Sequence, residues 1–284
     1  MPIKTDIKKE ADRSFEIQII IPARRIKEKY QKILREHGQE AKIKGFRKGQ
    51  APLDLVEKKI GKDSIYQQLI QKIISETYSE AIKKHDLRPI IPPKISLVSA
   101  KEGKDWKIKI TSCELPEIKT DQLKKEVREL NAKSKIWTPK KGEKPTKNQE
   151  PQKKEQRIQE VINTIVKTTK IILPKTLIDY EMTRKLSGLI EELQKVGLKI
   201  EQYLSSNGIT LEQLKAKYRR EIEASWKIDL VLEKIADENK IVVSGEEIDR
   251  LTKANTSVNK NKVNPYLASK LLRRQKTLEY LVNL

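Results

Sequence analysis

The sequence predicts two domains of different class: an N-terminal α+β unit, in which helices accompany a small antiparallel sheet, followed by an elongated all-α unit. Three observations carry that expectation. Phe15, Ile17, Ile19 and Ile21 alternate with Glu16, Gln18 and Ile20, the period of a strand with one apolar face. Ile95 and Leu97, then Trp106, Ile108 and Ile110, alternate again around a turn containing Gly103, which reads as a hairpin completing the sheet. From Lys153 onward nearly every apolar residue falls at helical spacing. At 284 residues the chain has room for two domains with cores of their own.

In chain order, the strand Ser14 to Ile21 leads through Pro22 into a helix whose Ile26, Tyr30, Ile33, Leu34 and Ala41 share a face. A glycine-framed loop follows. Leu53, Val56 and Ile60 then mark a short helix ending at Gly61, and Asp63 is the expected N-cap of a longer one. In that helix Ile65, Leu69 and Ile73 stack beside Ile70, Ile74 and Ile82, a broad apolar stripe that stops before Pro89. Residues 1–115 are therefore expected to form one compact unit, its helices covering one face of an antiparallel sheet.

Residues 116–152 change character. Leu123, Val127 and Leu130 support one short helix, after which the polar, cationic run Thr138 to Pro145 buries little and reads as a flexible linker. In residues 153–284, Val161, Ile165 and Ile172 lead to Pro174, which starts a helix through Leu177, Leu186, Leu189 and Leu193 to Gly197. Thr210 caps a long helix carrying Leu211, Leu214, Tyr218, Ile222, Trp226 and Leu230. Ser244 with Glu247 makes a capping box for another, and an Asn/Lys-rich loop near 255–264 precedes the last, Pro265 to Leu284.

Composition narrows the function classes. Charged residues are 36% of the chain and aromatics 5%, which favours exposed amphipathic helices over one thick globule. The formal net charge of +21 predicts attraction to polyanions, ribosomal RNA foremost, although a lysine-rich genome would give the same bias. One cysteine, Cys113, precludes an internal disulfide. The N-terminus lacks the apolar core of a signal peptide, and no run approaches the ~18 apolar residues of a membrane span. A cytoplasmic protein without membrane contact is expected.

Residues 45–52 read Gly-Phe-Arg-Lys-Gly-Gln-Ala-Pro. Gly45 and Gly49 free the backbone at both ends, and Pro52 presets φ for the helix that follows. Phe46 offers a flat apolar face, while Arg47 and Lys48 offer a planar fork and a point charge suited to phosphate or carboxylate. The combination suits a loop docking on RNA and protein together. It is equally that of an ordinary interhelical turn whose Phe46 folds back into the core.

The octapeptide closely resembles the ribosome-docking loop of trigger factor, a bacterial chaperone family. The resemblance continues through the strand–helix order around it and the Arg88-Pro89-Ile90-Ile91-Pro92-Pro93 segment, the order of that family's ribosome-binding domain. Farther on, Ile172-Leu173-Pro174, Gly197-Leu198, Tyr203-Leu204 and the helix through Trp226 and Leu230 to Ile241-Val242-Val243-Ser244 look like the family's substrate-cradling domain. The resemblance implies that 1–115 binds the ribosome through Gly45, Phe46, Arg47, Lys48, Gly49 and Pro52. It implies that 153–284 cradles unfolded nascent polypeptides, with Leu189, Leu193, Tyr203, Leu204, Tyr218 and Trp226 as candidate lining. For each of these six, ordinary helix–helix core is the competing reading. A weak homodimer is left open.

Members of that family carry a prolyl isomerase domain between these parts. Here the interval 116–152 holds a helix and a basic linker with Trp137 as its only large aromatic, too little for a packed domain, so no catalytic residues are expected. Two histidines, His37 and His85, and one cysteine essentially exclude a Cys/His zinc site, and no glycine-rich loop ends in Gly-Lys-Ser/Thr. No metal or other cofactor is expected. Chaperone action without ATP leads the functional readings; a basic RNA-binding or ribosome-assembly factor comes second, an eroded isomerase third.

Overall fold

The computed structural model of the chain describes residues 3–135, 149–258 and 264–284. They group into two units, Met1–Pro116 with Pro174–Tyr180, and Glu117–Leu173 with Glu181–Leu284.

In the first unit four strands form an antiparallel sheet, β1 (Lys4–Lys9), β2 (Ser14–Ile21), β3 (Lys94–Ser99) and β4 (Trp106–Cys113), in the spatial order β1-β2-β4-β3. The alternation in β2 does what its period demands: Phe15, Ile17, Ile19 and Ile21 are all buried on one face. Register then builds the core layer, since Ile17 pairs with Ile110, Ile19 with Ile108 and Ile21 with Trp106. Over that face lie α1 (Ala23–Glu40) and α3 (Lys62–Lys84), contributing Ile33, Ile65, Leu69 and Ile73 as fully buried residues, while α2 (Leu53–Ile60) packs on α1 and α3 with Val56 buried. Each such side chain is worth roughly 1.5–3 kcal/mol of burial. Tyr30 on α1 donates its hydroxyl to Glu57 on α2 at 2.7 Å, and Arg25 forks onto Glu80 of α3.

Two local features depart from expectation. Strand β1 was not anticipated; of its six residues only Ile7, opposite Ile17, is apolar, because an edge strand needs just one inward anchor. Asp63 does not cap α3. Gly61, at φ +89°, ends α2 and begins α3 at once, so the longer helix starts at Lys62 and Asp63 lies inside its first turn.

The second unit is helical: α4 (Asp121–Lys135), α5 (Gln149–Thr168), the greater part of α6 (Lys175–Lys195), α7 (Ile200–Ser206), α8 (Leu211–Glu238), α9 (Gly245–Val258) and α10 (Pro265–Val282). The helix expected within 116–152 belongs to this unit's packing. Leu123 and Val127 of α4 are buried, the Asn131 amide donates to the Leu281 carbonyl at 2.9 Å, and Glu238 accepts from both Thr120 and Lys124. The helix expected from Lys153 begins earlier, at Gln149. The linker run Thr138 to Pro145, Trp137 and residues 259–263 of the expected Asn/Lys-rich loop lie outside the described residues.

Both expected caps are formed. Thr210 Oγ1 accepts the Gln213 N–H at 3.1 Å while Gln213 reaches back to the Thr210 N–H at 2.8 Å. Ser244 and Glu247 exchange the same pair of bonds at 3.3 and 2.9 Å. The first turns of α6, as far as Tyr180, pack with the first unit. Among the described residues no helix is long and apolar enough to cross a membrane.

Candidate functional site

The loop between α1 and α2 is built from two consecutive tight turns. After Ala41 closes α1 onto the His37 carbonyl, the Phe46 N–H bonds Ile43 O at 3.1 Å and the Gln50 N–H bonds Arg47 O at 3.0 Å. Gly45 and Gly49 occupy the third position of each, at φ +89° and +85°, while Lys44 and Lys48 before them keep negative φ. Those are type II turns, which require glycine at that place. The loop's stem is fastened by the Lys59 ammonium on the Lys42 carbonyl.

The consequence is a stiff, fully presented tip. Ile43 and Ala51 are half-buried at the two ends, whereas every residue from Lys44 to Gln50 is exposed. Phe46 keeps 43% of its surface open, so it does not fold back into the core. Arg47 and Lys48 beside it have no ion-pair partner among the described residues. Pro52, φ −55°, sits immediately before α2 and accepts from Leu55 and Val56. An aromatic plate flanked by two free cations can stack on a base or apolar side chain while binding phosphate or carboxylate.

The second group of expected residues divides. Leu193 is buried with Leu214 and Ile222, so it is core of the α6–α8 end of its unit, not open lining. Leu189, Tyr203, Leu204, Tyr218 and Trp226 are half-buried. Lys185 sits over the Tyr218 ring, 5.0 Å from its centroid, and pairs with Glu221 at 2.6 Å; burial pushes the Tyr218 hydroxyl's pKa up. Two helix ends shape this region. Gly197 (φ +73°) lets the Leu198 N–H reach Leu193 O at 2.9 Å, and Gly208 (φ +62°) lets Ile209 reach Leu204 O at 3.1 Å. These turns leave Ile190, Val196, Leu198 and Leu211 exposed.

A further apolar surface was not singled out by the sequence reading. Ile158 of α5, Leu251 of α9 and Leu271, Leu272 and Leu278 of α10 line an open groove of about 390 Å³. Tyr266, Leu267 and Leu271 stand exposed along α10. The signal was present as apolar residues around more than one face of the last helix, but periodicity does not say which face is left uncovered. The histidines are engaged structurally: His37 Nε2 lies 2.8 Å from Gln68 Oε1, and His85 Nε2 lies 3.0 Å from Thr5 Oγ1. Among the described residues no cluster of three or more His, Cys, Asp or Glu is placed to hold a metal.

The molecule thus joins an α+β unit bearing an exposed cationic-aromatic loop with a helical unit bearing an open apolar groove. Two family models match it. The bacterial trigger factor protein model covers residues 3–144, and the trigger factor C-terminus model covers residues 121–284, so the two overlap. The chain belongs to the bacterial trigger factor family.

Among curated relatives, the trigger factor of Bdellovibrio bacteriovorus is 34% identical over 116 residues, 41% of this chain and 26% of its own. That of Staphylococcus carnosus is 29% identical over 126 residues, 44% of this chain and 28% of its own. The matched stretch thus spans about a quarter of the length of these relatives. A solved chain, described as showing promiscuous substrate recognition in folding and assembly activities of the trigger factor chaperone, shares the fold with a TM-score of 0.63 at 14% identity, covering 100% of this chain and 99% of that one.

Proposed function

We propose that this protein is an ATP-independent chaperone of the cytoplasm that docks at the ribosomal exit tunnel through Gly45, Phe46, Arg47, Lys48, Gly49 and Pro52 and shields nascent polypeptides. The tandem type II turns that hold Phe46, Arg47 and Lys48 out from the body are the observation that carries the reading. Cations and a planar ring on a stiff loop lose little entropy on binding ribosomal RNA and protein.

The helical unit would supply the cradle. Half-buried Leu189, Tyr203, Leu204, Tyr218 and Trp226, the exposed Ile190, Val196, Leu198 and Leu211, and the α5–α9–α10 groove offer scattered apolar contacts in a charged frame. Such contacts hold unfolded chains weakly and release them as they bury their own apolar surface, which needs no nucleotide cycle. The family's prolyl isomerase domain would be missing from this form: the two matched segments overlap at 121–144, and the helix α4 inside that interval is part of the second unit's core.

Co-sedimentation with ribosomes carrying a nascent chain tests the docking half. Replacing Phe46, Arg47 and Lys48 together by alanine should abolish binding and leave helicity by circular dichroism unchanged; retained binding overturns the assignment. Wild-type binding should also fall steeply with salt, as counterion release requires. The net charge of +21 favours one competing role, a basic ribosome-assembly factor without chaperone activity, and failure of the full chain to suppress aggregation of an unfolded client would select it. Prolyl isomerisation is expected at background.

A further inference from the structure

The first unit carries an unprotected sheet edge. Strand β3 pairs with β4 on one side only, and the sheet order leaves its other side without a neighbouring strand. Ile95 and Leu97 point to the same face as their partners Ile110 and Ile108, which are buried, yet they remain 40% and 45% exposed. The apolar layer of the sheet therefore runs past the helices that cover it. Native edges are normally blunted by charge, proline or a bulge. Here those devices stand at the ends: Pro92 and Pro93 just before the strand with Lys94 as its first residue, and a register shift between Leu97 and Ser99 at its last residues. The centre, Ile95-Ser96-Leu97, is open.

Positive charges outnumber negative ones around this edge. Lys94 on β3 and Lys107 and Lys109 on β4 occupy the opposite, solvent-facing side of the sheet, and Lys101 and Lys104 lie in the turn that joins the two strands. Lys109 is neutralised by Glu16 at 2.6 Å, and the two acids of the turn are occupied, Glu102 by Lys62 at 2.9 Å and Asp105 by the Ala23 N–H at 2.9 Å. Lys94, Lys101, Lys104 and Lys107 have no ion-pair partner among the described residues.

From this arrangement we infer that β3 is a strand-addition site for an extended peptide in which apolar residues alternate with acidic ones. The peptide's backbone would pair with the open edge, its apolar side chains would extend the layer made by Ile95 and Leu97, and its carboxylates would meet the lysines on the other face. A second copy of the chain is the poorer occupant, because antiparallel pairing of two β3 edges sets Lys94 of each near the Lys101 end of the other. The occupant rests on the chaperone reading, since unfolded chains are what supply such segments.

The test uses the full chain and a twelve-residue peptide of alternating valine and glutamate, titrated while backbone amide resonances are followed. Shifts concentrated at residues 94–99 and along β4 are expected. The double variant Lys94→Glu, Lys107→Glu should weaken binding about tenfold and bind the lysine version of the peptide instead. Leu97→Lys, at a half-open position, should weaken both peptides while the far-ultraviolet spectrum stays that of wild type. Absence of shifts at β3, or equal binding of acidic and basic peptides by the wild type, overturns the site; concentration-dependent shifts at β3 without peptide overturn it in favour of self-pairing. Aggregation suppression is scored separately: a chain that suppresses aggregation without β3 shifts refutes the edge site alone, and one that binds the peptide at β3 without suppressing aggregation supports the site and refutes the chaperone reading.

Discussion

The Asp12 carboxylate, in the β1–β2 turn, accepts the Lys175 N–H at the first turn of α6 at 2.8 Å, while its other oxygen accepts the Ser14 N–H at 2.9 Å. Residues 163 positions apart are thus joined by one side chain acting as a helix cap from outside the helix. Thr176 adds a hydroxyl bond to Ser14 at 2.9 Å.

Asp12→Ala should cost about 1 kcal/mol, the usual worth of a cap, and denaturant unfolding followed in the first unit measures it. The contribution should also depend on pH. Burial pushes the Asp12 pKa up, but the Lys175 and Ser14 donors outweigh it and hold it below the ordinary value. Because the folded pKa is depressed, the stabilisation is complete above the unfolded value, about 3.9, and fades as pH falls through the folded one. Wild type and Asp12→Ala should converge in stability at the acid end; a constant gap across pH would refute the ionic cap.

The docking loop should be sensitive to its glycines. Both take positive φ; a Cβ at Gly45 would meet nothing within 4 Å and one at Gly49 only ordinary contact with the Gln39 backbone, so Gly45→Val or Gly49→Val strains chiefly the backbone, by roughly 1–3 kcal/mol. Global stability should change little if the loop relaxes into another turn, while ribosome affinity falls as Phe46 is re-aimed. Equal affinity in both variants would show that the loop's conformation is irrelevant to docking.

Tyr78 supplies a gain of stability. Its hydroxyl is buried with no hydrogen-bond partner among the described residues, and burial pushes its pKa up. Tyr78→Phe removes an unsatisfied group without opening a cavity and should stabilise the first unit by about 1 kcal/mol. A loss on chemical denaturation would mean that the hydroxyl has a partner in solution.

At the α6–α8 end, core and client contacts should separate. Leu193→Ala is expected to cost about 2–5 kcal/mol, as cavity-forming substitutions do. Val196→Ser with Leu198→Ser, at positions 68% and 44% exposed, should leave unfolding within about 0.5 kcal/mol of wild type and reduce suppression of client aggregation. An unchanged chaperone assay for the exposed pair would move the client surface elsewhere, the α5–α9–α10 groove first.

How much of this could be read from residue order follows from where each signal resides. Strand β2 and the β3–β4 hairpin were legible because burial on one face imposes an alternation, and the Thr210 and Ser244 caps because they are local chemistry. Strand β1, with Ile7 as its single apolar anchor, carries no alternation to find. Helix α7 spans seven residues, too few to display a period. The exposed loop at Gly45–Gly49 stood out because positive φ leaves a glycine signature. The helical surfaces did not, since Leu193 and Leu198 are the same residue type five positions apart, one covered and one open. Likewise α4 announced itself as a helix, but its partners are α5, α8 and α10, and no local pattern names a partner that far away.

That distance sets an order of events during synthesis. The main core cluster of the first unit runs from Ile3 to Ile110 and can close once that stretch has been made, before Leu177 and Ile178 of α6 add to the unit. Helix α4 comes next, with Leu123 and Val127 needing cover, and its Asn131 waits for Leu281, 150 residues later. Contacts so separated in sequence form late, leaving apolar surface open in the meantime. For the time it takes to translate those residues, a protein proposed to shelter unfinished chains is itself one of them.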